Sequence, residues 1–130
     1  MSSTSSISWY VRSWPHLDRA ARAIRVMRIY QFFESTRAAF HARFRDHAAR
    51  IKRQHGFDIV AMWEATTGDR TAFVYLLRWP DEQCKIRARS AFLADEEWNR
   101  IKRATQGQGD LVGEIEDRLL TLTDYSPRFA

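Results

Sequence analysis

A single cysteine, Cys84, is too few for an intrachain disulfide or a cysteine metal cluster, and a lone thiol fits a reducing compartment. No apolar run approaches the roughly 18 to 20 residues that cross a bilayer, and the N-terminus lacks the continuous apolar core of a secretory signal. His16, His41, His47 and His55 are nowhere three or four apart, so no metal site is expected, and no cofactor motif is present. The basic excess is also misplaced for a nucleic-acid partner. Of 21 Lys+Arg and 16 Asp+Glu, residues 1–28 hold five Arg and one Asp. The remainder therefore carries 16 basic against 15 acidic groups, too even a balance for a phosphate-binding face on the folded part.

What is present is 130 residues with 45% hydrophobic and 28% charged positions, stock for one compact domain. Residues 1–25 are rich in Ser and Arg and poor in acid, which sets them outside the core as a tail or leader. A mitochondrial transit peptide is the minor alternative. The Arg:Lys ratio of 18 to 3 is of bacterial type and favours a cytoplasmic protein. The folded domain is expected over 26–125, with 126–130 as a C-terminal tail.

Val26 to Phe33 is β-branched and aromatic and reads as a first strand. Ser35 or Thr36 can then accept the free amides of a helix start, and Phe40, Phe44, His47, Ala48 and Ile51 recur as an apolar stripe. Gly56 ends that helix near His55. Phe57 to Ala65 and Thr71 to Trp79 form an antiparallel hairpin around Gly68, with Asp58 opposite Arg78 and Ala65 opposite Thr71. Pro80-Asp81 opens a second helix, Asp95-Glu96-Glu97 a third, and Leu111 to Thr123 is the last strand. The order β-α-β-β-α-(α)-β predicts an α+β, ferredoxin-like subunit, a four-stranded antiparallel sheet with two to three helices on one face.

In strict alternation one side of the hairpin carries Phe57, Ile59, Trp63, Phe73, Tyr75, Leu77 and Trp79, and the other Val60, Met62, Val74 and Leu76. Helices cover one side only. Aromatics of about 150 to 250 Å² each exceed what a soluble monomer leaves exposed, so a second copy is expected against the sheet. Phe57, Trp63, Phe73, Tyr75 and Trp79 are the dimer-interface candidates.

Arg28-Ile29-Tyr30, His55-Gly56-Phe57, Trp63, Gly68, the Tyr75 to Trp79 strand, Arg87 and Phe92-Leu93-Ala94-Asp95-Glu96-Glu97-Trp98 follow one another in an order that resembles the NIPSNAP family over about residues 26–125. The phrase ending in Asp95 and Trp98 is its most specific part. The resemblance implies a dimeric α+β barrel and, for most members, no established activity. The stretch Glu34-Ser35-Thr36-Arg37 departs from it in lacking a glycine.

Tyr30, His47, Trp63, Tyr75 and Arg78 are the ligand-pocket candidates, aromatic walls with polar handles, and Glu64 is a further handle. Core packing accounts for the same aromatics. Glu114, Glu116 and Arg118 alternate with Asp117, and a solvated edge explains them more simply than an acid–base pair. The expected function is a small NIPSNAP-like homodimer binding an apolar small molecule or a protein partner. The alternative is a cofactor-independent monooxygenase or isomerase acting on an aromatic or polyketide-like substrate.

Overall fold

Strand β1 (Ile24–Phe32) lies inside a four-stranded antiparallel sheet of order β2-β3-β1-β4 in the computed structural model, which describes residues 23–105 and 110–127. Residues 1–22, most of the expected tail, fall outside that range. A single 3-10 turn (Glu34–Thr36) leads into α1 (37–54), whose middle, Phe44–Ala48, is wound as a π turn. The sequence predicts that Ser35 or Thr36 accepts the amides of the helix start, but the Thr36 side chain at the N-cap accepts none. It donates to the carbonyls of Phe33 and Leu111, at 3.1 and 2.6 Å, and so ties the helix start to the chain entering β4. Gly56, at φ +92°, reverses the chain after α1 in the left-handed region that favours glycine.

β2 (Asp58–Thr67) and β3 (Arg70–Trp79) meet at a two-residue turn, Gly68-Asp69, tighter than the five-residue loop expected. Asp58 does pair with Arg78, at 3.0 Å. A bulge at Val60 then shifts everything downstream, so that Ala61 faces Leu76, Trp63 faces Val74 and Ala65 faces Ala72. Because side chains alternate with period two, one extra residue turns Trp63 to the opposite face from Phe73 and Tyr75.

α2 (Glu82–Leu93) starts on Asp81, whose carboxylate accepts the Cys84 amide at 2.8 Å. α3 (Glu96–Thr105) starts on Asp95, which accepts the Trp98 amide at 2.8 Å and also meets the His55 ring at 2.8 Å. β4 (Val112–Leu120) completes the sheet beside β1. The helices bury Val26, Tyr30, Phe57, Phe73, Tyr75, Leu77 and Trp79 of the sheet against Phe40, Phe44, Ile51, Phe92 and Trp98. Four of the interface candidates, Phe57, Phe73, Tyr75 and Trp79, are thus core residues under the helices. Only Trp63, 49% exposed, stands on the open face, near Met27, Ile29 and Val74.

Candidate ligand cavity between the sheet and the helices

The register of β1 brings Arg28, Tyr75 and Asp117 into one row across the sheet, on the helix side. Arg28 Nη1 donates to both Asp117 oxygens at 2.9 Å, and its Nε donates to the Tyr30 hydroxyl at 3.0 Å. The Tyr30 and Tyr75 hydroxyls lie 3.2 Å apart. Arg89, reaching from α2, touches the same aspartate at 3.4 Å. Burial works against the Arg28 charge, but its tyrosine neighbours and Asp117 outweigh it and leave its pKa raised. Burial, with Tyr30 next, pushes the Tyr75 phenol well above its ordinary value.

Above this row α1 supplies Lys52, only 5% exposed. Its ammonium sits 4.0 Å from the Phe92 ring centre, 4.8 Å from Phe57 and 5.9 Å from Tyr75, an aromatic cage. Among the described residues it has no hydrogen-bond partner and no carboxylate within 4.0 Å. Burial, aided by the positive charges of Arg28 and Arg89 and opposed by Asp117, lowers its pKa to about 7.

These groups border a cavity of about 190 Å³ between sheet and helices, walled by Phe44, Phe57, Phe92 and Trp98 and with Arg43, Lys85 and Lys102 also at its margin. The Trp79 indole N–H, in the same wall, is buried with no acceptor among the described residues. Among the described residues no three or more His, Cys, Asp or Glu gather where they could hold a metal ion. None of the described helices is long and apolar enough to cross a membrane.

Of the five pocket candidates, Tyr30 lines the cavity and Tyr75 abuts it through the paired hydroxyls and the Lys52 cage. His47 is half-buried in the π turn and does not line it. Trp63 lies on the other face, and exposed Arg78 is engaged by Asp58. Glu64 is held by Arg37, at 3.0 Å, and by His41, at 2.6 Å, and these bonds push its pKa down to about 2. Glu116 pairs with Arg118 at 2.7 Å on exposed β4. Sequence reasoning missed Lys52, Arg89 and the role of Asp117. The signal for Lys52 was there: Phe44, Ala48 and Lys52 repeat at four, which puts a lysine on the apolar stripe.

The family model for NIPSNAP matches residues 25–127. Among solved structures, an uncharacterized NIPSNAP-like domain protein from Burkholderia xenovorans is 21% identical, with a TM-score of 0.70 over 85% of this chain and 93% of that one. A NIPSNAP family protein of unknown function from Agrobacterium tumefaciens is 17% identical, with a TM-score of 0.70 over 82% and 94%. SnoaB, a cofactor-independent oxygenase from Streptomyces nogalater, is 22% identical, with a TM-score of 0.52 over 83% and 100%, a likeness of fold. No curated protein matches the sequence.

Proposed function

Because the chain belongs to the NIPSNAP family, with the α+β fold of its solved relatives, we propose that it binds a small apolar molecule in the cavity under α1 and α2, as a homodimer joined through the open sheet faces. The observation that carries this reading is the partly open cavity of about 190 Å³ with aromatic walls. An apolar cavity of about 150 Å³ holds benzene, so the space suits one substituted ring. Pockets for drug-sized ligands run from about 300 to 1,000 Å³, which makes a multi-ring polyketide a poor fit and leaves the oxygenase reading with the fold likeness alone. Exposed Trp63 with Met27 and Ile29 supports the second copy, since one layer of helices shelters only the other face. Unpaired Cys84 supports a reducing cytoplasm.

The test uses benzyl alcohol as probe on the full chain, with binding followed by NMR. Ala48 is buried in α1 at the cavity wall, and Ala48→Phe should fill the space. We expect saturable binding by the wild type and none by a folded variant. Equal binding by both proteins, or none by either for any single-ring probe, overturns the cavity reading.

A further inference from the structure

The polar chemistry of the cavity is one-sided. Among the described residues its only carboxylate, Asp117, is already shared between Arg28 and Arg89. Among the described residues, its groups that meet no acceptor are donors: the buried indole N–H of Trp79, and the Lys52 ammonium, whose contacts are ring faces. A buried donor lacking an acceptor is unfavourable, and a buried ammonium far more so, unless something that accepts arrives. The aromatic cage answers part of this for Lys52, since ring faces attract a cation, but supplies no lone pair. Arg43 and Lys102 at the margin add positive potential and contribute no acceptor, while Lys85 is paired with Glu82 at 3.1 Å.

We propose that the ligand is a single-ring organic anion, its carboxylate seated against Lys52 and its ring against the aromatic wall. This rests on the cavity reading above and adds the charge of the occupant. An arriving carboxylate supplies both the counter-charge and the acceptor that Lys52 lacks, whereas a neutral alcohol supplies an acceptor without the counter-charge and a cation is repelled. Binding is then coupled to protonation. The groups facing Lys52 are Arg28 and Tyr30 on β1, Tyr75 on β3, Asp117 on β4, and Arg89 and Lys85 on α2. The arginines keep their charge throughout the working range, and the buried Tyr75 phenol stays protonated. Lys52, at about 7, is the group that changes state near neutrality, so the anion binds the form present at lower pH.

Three probes of one shape and three charges separate this from the cavity reading: benzoate, benzyl alcohol and benzylamine, titrated into the full chain at pH 6.5 and pH 9. At pH 6.5 we expect benzoate to bind at least tenfold more tightly than benzyl alcohol, with benzylamine weakest. Raising the pH to 9 should weaken benzoate at least tenfold while leaving the alcohol within about twofold. Lys52→Met, which keeps the chain length and folds without a buried charge, should bring benzoate and the alcohol within about twofold of each other, and Lys52→Gln should do the same. Benzyl alcohol binding as tightly as benzoate to the wild type would refute the anion assignment while leaving the cavity reading intact. Retention of the benzoate preference in both variants would refute Lys52 as its seat, and failure of all three probes would remove both readings.

Discussion

Lys52 is charged at a place where charge is disfavoured, and that has a consequence for stability even without a ligand. Its pKa is about 7 in the fold and about 10.4 in an unfolded chain, so between those values the unfolded state binds more protons and stability rises with pH. The full difference is on the order of 5 kcal/mol. We expect Lys52→Met to melt above the wild type at pH 6 to 7 and the gap to close toward pH 10, as read from melting curves of both proteins. Asp95 works in the opposite direction. Its pKa is held down by the hydrogen bond from His55 and by the Trp98 amide, so its contribution is complete above the ordinary carboxylate range and fades as acid protonates it. Asp95→Ala should lower Tm at pH 7, and the difference from the wild type should vanish in strong acid. The same contacts join the end of α1 to the start of α3 through His55, Asp95 and the Trp98 amide.

At the scale of elements, most of what decides the faces lies in two irregularities. The bulge at Val60 keeps the Asp58–Arg78 pair and reverses every residue after it, so strict alternation identified the hairpin and then assigned Trp63 to the wrong side. A bulge depends on how the partner strand and the layers above it pack, and no residue type between Ile59 and Ala61 announces it. The π turn at Phe44–Ala48 shifts α1 in the same way, aiming Phe40, Phe44, Ala48 and Lys52 at the sheet and turning His47 away from the cavity. Turns were more legible, because glycine in the left-handed region has a local cause. Gly56 has open space where a Cβ would lie, so Gly56→Ala tests backbone strain alone and should destabilise by about 1 kcal/mol in denaturant unfolding.

For the molecule as a whole, the two sheet faces make different demands. Tyr75 is fully buried, with its hydroxyl against Tyr30, so Tyr75→Glu places a carboxylate in the core and should leave no folded protein by circular dichroism. Trp63→Glu touches only the open face. It should retain the fold and, with the proposed dimer, shift the mass in light scattering from two chains to one; an unchanged dimer would place the contact elsewhere. The order of elements, the starts of α2 and α3 at Asp81 and Asp95, the glycine stop after α1 and the ferredoxin-like plan were all legible in the amino-acid sequence, because capping residues, glycines and apolar period act within a few positions of chain. Which aromatics are core, that Arg28, Lys52, Arg89 and Asp117 converge from four elements, and that they border one cavity came from the three-dimensional packing alone, because residue spacing along one strand or helix carries no information about what the layer above leaves unfilled.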